Sequence, residues 1–429
     1  MGERLILVTG ATGYIASRLI PRLLDAGHRV RALARRPRQL DGRGWSSLVE
    51  IFPGDVMTPS TLAAALNGVH TAYYLIHNMS SGRGYTEREL EGARNFASAC
   101  EAAGVEHIIY LGGLADPEQH IAPHMRSRIE TGATLRQGRV PVTEFRAGVI
   151  AGAGSISFEM IRFMTELFPV VPGPTWLNNK SQPIAVQNVI DYLLAALDNW
   201  NGHGQVFEIG GPEIFHYKEL MLKYAQARGL KRSMILLPYI PLGLMALGVG
   251  LMTPVPRPIA YALIGGLSAD SIVQHPEALR VFPEVKLIDF KSAAHDALDH
   301  LHPAHVERVW ESTERVASLK HEGFFILHQK TVVRNDIPQT ADSAGFHPAP
   351  RITPPKKWKI ESGDSQQILF HRPRSFGEEW IEQRVVGRDN IPTYFFAPRG
   401  LSGFLYWYFL YPFRIFAFRG LPKWFQKNK

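Results

Sequence analysis

Apolar positions follow two rhythms through most of the chain. Short, mainly apolar stretches that read as strands stand at Arg4–Val8, Val30–Ala34 (with Arg31), Ile51–Val56 (ending in Gly-Asp-Val), Ala72–His77 and His107–Leu111. Runs without polar alternation predict strands buried on both faces, as in a parallel sheet. Between them lie stretches with helical spacing. From Ile15 to Ala26 one face collects Ile15, Leu19, Ile20, Leu23 and Leu24, and Gly27 closes the helix. Thr58–Leu66, Thr86–Ala103 (apolar at Ala93, Phe96, Ala97 and Cys100) and Val189–Leu197 predict further helices. Strand and helix in alternation give an α/β fold, a doubly wound parallel sheet.

The rhythm changes in three places. Pro169–Trp176 is proline-rich and is expected to be a loop. Ser233–Pro256 carries no charge over 24 residues, but its prolines and glycines argue against a membrane span. It predicts a buried helical hairpin, or a surface lying on lipid. From His321 to Val333 apolar and polar residues alternate as in a strand. That alternation opens a second, smaller α+β domain, giving expected domains of 1–315 and 316–429. A loop rich in proline, serine and charge follows over 335–357.

The stretch Val8-Thr9-Gly10-Ala11-Thr12-Gly13-Tyr14-Ile15-Ala16 joins the first strand to the first helix. Gly10 suits a tight turn, Gly13 lets backbone approach a pyrophosphate, and Ala16 lets the helix lie close to the sheet. The free N–H groups at the helix start then face the phosphates. A dinucleotide cofactor is expected, with Gly10, Ala11, Thr12, Gly13, Tyr14 and Ile15 holding it. An NAD site usually ends the second strand in Asp or Glu; this chain has Arg35-Arg36 there. Guanidinium groups suit a 2′-phosphate and favour NADP(H). Asp55 and Val56, closing the third strand, are placed beside the adenine, with a simple turn aspartate as the rival reading of Asp55. His77, at the carboxyl end of the fourth strand, stands where ligands bind in open α/β sheets.

Composition narrows the class. The chain has 429 residues and a net charge of +8. Its single cysteine, Cys100, excludes an internal disulfide and a cysteine-rich metal site and suggests a reducing compartment. A start that runs straight into a charged residue and a strand predicts no secretory signal, so a cytoplasmic setting is expected. The histidines at 295, 300, 302 and 305 are irregularly spaced and are expected at a solvated helix end, so no metal is expected. The residues 390–429 hold six Lys or Arg and no Asp or Glu. Within them, the dense aromatics from Phe404 onward suit a membrane surface or a membrane-protein complex, contacted through 404–429. No nucleic-acid module is visible.

Thr9–Ala16, Gly54-Asp55-Val56, Tyr74–Met79, Ile109–Leu114, Val142–Gly148, Gln182–Val186 and Phe207–Pro212 together resemble an atypical short-chain dehydrogenase/reductase. The similarity covers about residues 1 to 310. Its nearest subgroup is bacterial NAD(P)-binding Rossmann proteins with a small C-terminal domain, and the Rossmann accessory subunit of respiratory complex I is a more distant relative. The second domain resembles a lipid-binding-like α+β domain of unknown function, shortened here so that strands are too few to close the usual cavity. The resemblance adds Leu75 and Ile76 to the cofactor contacts, and Arg146, Phe158 and Arg162 to the substrate pocket. Active members carry a Ser after the fifth strand and a Tyr-x-x-x-Lys on the next helix. This chain has Gly112 and Gly113 in the first place, and His124 and Arg128 in the second. Two functions remain open. One is an NADP(H)-dependent oxidoreductase or isomerase on a small isoprenoid or quinone-like molecule, with His124 and then His77 as proton carriers and Arg128 holding the nicotinamide ribose. The other is an NADP(H)-binding structural or assembly protein of a membrane-associated complex.

Overall fold

The structure, a computed structural model, describes residues 3–41, 43–77, 84–238, 240–253, 255, 257–303, 323–328, 331–332, 358–363, 367–386, 389–410 and 413. Two compact units are present: residues 1–165 with 170–322, and residues 166–169 with 323–429. The expected boundary at 315/316 lies outside the described residues.

The first unit is built on a seven-stranded sheet. Its strands are β1 (Leu5–Val8), β2 (Arg29–Ala34), β3 (Glu50–Pro53), β4 (Thr71–Tyr74), β5 (His107–Gly113) and β6 (Val142–Ala147). Four short strands then precede its last member: β7 (Ile150–Ala151), β8 (Val170–Pro174), β9 (Lys180–Ser181) and β10 (Ile184–Ala185), followed by β11 (Val206–Ile209). The order across the sheet is β11-β6-β5-β4-β1-β2-β3, with every pairing parallel. The chain reverses its winding between β1 and β4, and a crevice opens there beyond the carboxyl ends of the strands.

Helices cover both faces. α1 (Tyr14–Asp25) and, later in the chain, α6 (Val186–Ala195) pack Leu19, Ile20, Leu23, Val189 and Leu193 on one side. α2 (Pro59–Leu66), α3 (Tyr85–Ala102) and α4 (Pro123–Leu135) cover the other, where Leu62, Phe96, Cys100 and Leu135 are buried. The doubly wound fold expected from the apolar rhythm is the fold observed. α5 (Ile156–Leu167) leads away from β7.

Two expectations need correction. Pro169–Trp176 is not a plain loop, because β8 occupies it and pairs in parallel with β13 (Ser233–Leu237). A two-stranded sheet leaves one edge of each strand unpaired, so prolines are tolerated. The start of the uncharged stretch is therefore a strand. The remainder is helical: after β12 (Phe215–His216) and α7 (Tyr217–Arg228), α8 (Leu242–Met252) and α9 (Arg257–Gly266) form a hairpin. It buries Ala246, Val249, Ala260 and Ile264. α10 (Glu277–Val281) and α11 (Phe290–Asp299) finish the unit. No helix among the described residues is long and apolar enough to cross a membrane.

The second unit contains an antiparallel sheet of β14 (Phe325–His328), β15 (Thr331–Val332), β16 (Lys359–Gly363), β17 (Gln367–Arg374), β18 (Gly377–Val386) and β19 (Asp389–Pro398). A helix over 400–410 follows. Its Phe404 and Trp407 are buried, with the Trp407 ring stacked 4.8 Å from that of Phe325. Leu405 and Phe409 point outward, as does Phe413. Most of the basic end of the chain, 414–429, lies outside the described residues.

Candidate active site

The glycine turn is held from both sides. Gly10 has φ +64°, and a Cβ added there would stand 2.7 Å from the Leu75 carbonyl oxygen. Only glycine meets both conditions without strain. Thr9 Oγ1 donates to Tyr73 O at 3.0 Å and accepts from Leu75 N at 3.1 Å, tying β1 to the end of β4. β4 stops at Tyr74, so Leu75, Ile76 and His77 run past the sheet into the crevice. Gly13 is the N-cap of α1, and no side chain caps that helix. The first N–H groups of α1 are thus left for a ligand.

Arg35 and Arg36 follow β2 and are exposed, and neither is in an ion pair among the described residues. Asp55 closes a turn in which its carboxylate accepts from Met57 N at 3.0 Å. Val56 is buried, and its carbonyl accepts from Asn95 Nδ2. Arg43, overlooked in the sequence, lies beneath the turn: it donates to Ser17 Oγ at 2.6 Å and to Thr12 O at 3.3 Å.

A cavity of about 560 Å³ opens from this turn across the ends of β4 and β5. Gly13, Tyr14, Ile15, Leu75, Ile76 and His77 line one part of it. His124, Met125 and Arg128 of α4 line another, and α5, α8 and α9 add methionine and aliphatic side chains.

The three candidate catalytic residues therefore share one wall. Pro123 starts α4, and His124 in its first turn is 6% exposed. Its ring lies against α9, where a Cβ on Gly266 would meet His124 Cε1 at 3.0 Å. Burial first, then the Arg128 guanidinium and His77, push its pKa down to about 4. The pKa of His77 is also lowered, by burial and then Arg128, against the opposing pull of Glu89. Arg128 donates through Nη2 to Leu111 O at 3.0 Å, while its buried Nε has no partner among the described residues. Its side chain fills the space over Gly113, where a Cβ would come within 3.1 Å of Arg128 Cδ and 2.8 Å of Met125 Cε.

Glu89 stands behind this wall and was not foreseen. It is buried, and its Oε1 accepts from His77 Nδ1 at 3.1 Å while its Oε2 accepts from Ser127 Oγ. Because Nδ1 carries the proton toward the carboxylate, neutral His77 presents an acceptor at Nε2, which is buried and without a partner among the described residues. The signal was there: Glu89 sits four residues before Ala93 on the apolar stripe of α3. A charge on such a stripe needs a reason.

The substrate-pocket residues require correction. Arg146 is not among the cavity-lining residues; on β6 its Nε donates to buried Glu144 at 2.7 Å. Phe158 and Arg162 turn away from the cavity. Phe158 packs edge-on against Tyr224 at 5.7 Å, and Arg162 Nε donates to Glu159 at 2.6 Å. Ser157, Met160, Ile161 and Met164 face inward instead. That set is one helical face (i, i+3, i+4, i+7), one position off the expected one.

The profile of a family described as NAD(P)H-binding matches residues 10–135. The chain is 30% identical over 270 residues to (4-alkanoyl-5-oxo-2,5-dihydrofuran-3-yl)methyl phosphate reductase of Streptomyces griseus, covering 61% of this chain and 85% of the relative. The chain belongs to this family of NAD(P)H-binding Rossmann reductases. As a member it binds NAD(P)H, and the glycine turn, the uncapped start of α1 and the unpartnered His77 Nε2 and Arg128 Nε beside it fit such a group. The chain is also 25% identical over 227 residues to a photosystem II assembly factor of Cyanophora paradoxa, covering 50% of this chain and 66% of that one. Among solved structures, the NADP(H) complex of Citrobacter triphenylmethane reductase superposes with TM-score 0.55 at 20% identity, over 68% of this chain and 99% of that one. An NADPH-dependent quinone oxidoreductase of Escherichia coli gives the same TM-score at 17% identity, over 69% and 99%. At those identities the shared fold is what is shown.

Proposed function

We propose that this family member is an NADP(H)-dependent oxidoreductase acting on a small apolar molecule, isoprenoid or quinone-like. The observation that carries the reading is the composition of the cavity. Its wall is largely aliphatic and methionine-rich; His77, His124 and Arg128 form one polar group on it, and Tyr217, Asp270 and Ser271 are among the other polar residues that line it. A ligand entering it is gripped by apolar contact and oriented by few polar groups. NAD(P)H, when bound, supplies a hydride. Gly10 to Ile15, with Leu75 and Ile76, hold it in this reading. Arg35 and Arg36 take the 2′-phosphate, and Asp55 and Val56 stand at the adenine side. Arg128 orients the nicotinamide ribose.

The protein's own chemistry concerns the proton. At neutral pH His124 is neutral, so it takes a proton from solvent before passing one to a ligand oxygen. His77 accepts or returns a proton at Nε2, with Glu89 fixing its tautomer. The family's serine has no counterpart at Gly112 and Gly113, so a reaction that asks little of an acid suits this site best.

One observation favours a second reading. The glycines that replace the serine, together with similarity to a photosystem assembly factor, are compatible with NADP(H) serving as a structural ligand of an assembly protein. The exposed Leu405, Phe409 and Phe413, followed by a basic sequence, would then meet a membrane or membrane complex. Nicotinamide fluorescence with NADPH, followed on adding quinones and aldehydes, separates the two. Turnover that collapses in His124→Ala supports the oxidoreductase. Tight binding without turnover across a broad panel supports the assembly protein, and absence of binding defeats both.

A further inference from the structure

The α8–α9 hairpin has two working sides. Its inner side supplies Met245, Val249, Leu263 and Ile264 to the cavity wall. Its outer side exposes Leu244 at 60%, Leu247 at 37% and Tyr261 at 51%. Leu244 and Leu247 are three residues apart and share one stripe of α8, opposite buried Ala246 and Val249. The strand just before it, β13, exposes Ile235 and Leu237, alternate residues of one face. On α8 the exposed aliphatics form a stripe rather than single scattered residues, and the strand before it in the chain exposes aliphatics too.

Charge points to the occupant. From Leu220 to Ala269, fifty residues hold five Lys or Arg and no Asp or Glu. The uncharged span is flanked by exposed Lys231 before and exposed Arg257 after. Apolar and aromatic side chains bounded by cations, with acidic residues missing, match the composition of elements that lie in the interface of an anionic bilayer. An aqueous protein partner would not require the acids to be missing.

We propose that the outer face of β13, α8 and α9 docks on an anionic lipid surface, and that the hairpin admits an apolar substrate from the bilayer to the cavity it walls. The second half rests on the oxidoreductase reading; the docking does not. Arg257 and Lys231 meet lipid phosphates, Tyr261 sits at headgroup depth, and Leu244 and Leu247 enter the acyl boundary. The hairpin lies on the bilayer without spanning it.

The test is co-sedimentation of the full chain with vesicles of phosphatidylglycerol and phosphatidylcholine, against phosphatidylcholine alone. Binding is expected to the anionic vesicles, to weaken with salt, and to fall on the order of tenfold in a Leu244→Glu, Leu247→Glu variant. A Lys231→Glu, Arg257→Glu variant, which leaves every apolar contact in place, is expected to fall by a similar factor. NADPH fluorescence in the same samples reports folding and the cofactor site, so loss of vesicle binding with NADPH retained isolates the surface. Equal binding to both vesicle types overturns the proposal. So does unchanged binding in both variants with loss in Leu405→Glu, Phe409→Glu, which would assign the contact to the second unit. Concentration-dependent self-association that the Leu244→Glu, Leu247→Glu variant abolishes, without vesicle binding, would show a second copy as the occupant.

Discussion

Glu89 Oε1 lies 3.1 Å from His77 Nδ1, so a carboxylate on α3 decides which nitrogen of the ring faces the cavity. Glu89→Gln preserves size and keeps an acceptor for Ser127, but an amide can also offer its N–H to the ring. Turnover should drop on the order of tenfold, less than the roughly hundredfold or more that a whole acid–base group supplies because the ring itself stays, with NADPH affinity unchanged. The pH–rate profile should move with it. An unchanged profile would make Glu89 a packing residue only.

Gly10→Ala places a Cβ in the left-handed region and against the Leu75 carbonyl. The strain is about 1–3 kcal/mol, and the turn can relax only by leaving the β4 end. Loss of NADPH binding is expected together with a lower melting temperature. Thermal melts with and without NADPH should show the ligand-induced shift disappearing.

Arg35→Asp should weaken NADPH far more than NADH, since hydrogen bonds to charged groups contribute about 1.5–3 kcal/mol. That corresponds to roughly tenfold to a hundredfold for NADPH. Equal losses for both cofactors, measured by fluorescence titration, would count against a 2′-phosphate contact.

The two faces of α5 should respond differently. Met164→Ala enlarges the cavity wall and should change KM for apolar substrates with a small effect on stability. Phe158→Ala removes a ring buried to 1% exposure and should cost about 3–5 kcal/mol. Paired denaturation and kinetic measurements on the two variants check the assignment.

Acid should destabilise the first unit. Burial lowers His124 from 6.5 to about 4 and His107 from 6.5 to about 3. Between those values and 6.5 the unfolded chain binds protons that the folded one refuses, so stability is whole above about pH 6.5 and falls as pH drops. For His124 the loss reaches up to about 3 kcal/mol near pH 4. His107→Gln keeps a donor for Thr143 and should flatten its part of the slope in melts from pH 7 to 4. Reduction that draws its proton from His124 should speed up with acid over the same range, until unfolding intervenes.

The sheet was legible because strands buried on both faces leave apolar runs, as β1, β4 and β5 do, whereas β3 at the sheet edge is exposed or half-buried throughout. Leu75 to His77 resembled strand for the same reason, although Thr9 diverts them. The cofactor turn was legible because its requirements are local. The substrate side was not. Phe158 and Arg162 are of residue types that line pockets, but one helical position decides which face they take, and that depends on Tyr224 and Glu159. Glu89 was missed because its partners, His77 and Ser127, come from two other elements. β8 was hidden because its partner strand β13 lies some sixty residues away, as the pairing of Ser233 with Val170 shows.

The packing over Gly113 ties that position to its neighbours. A serine at 113 would meet Met125 Cε, which must swing aside, and the Arg128 side chain, which donates to Leu111 O and must give slightly. Position 113 is thus coupled to Met125 and Arg128, and a side chain there reshapes the wall that Arg128 shares with His124.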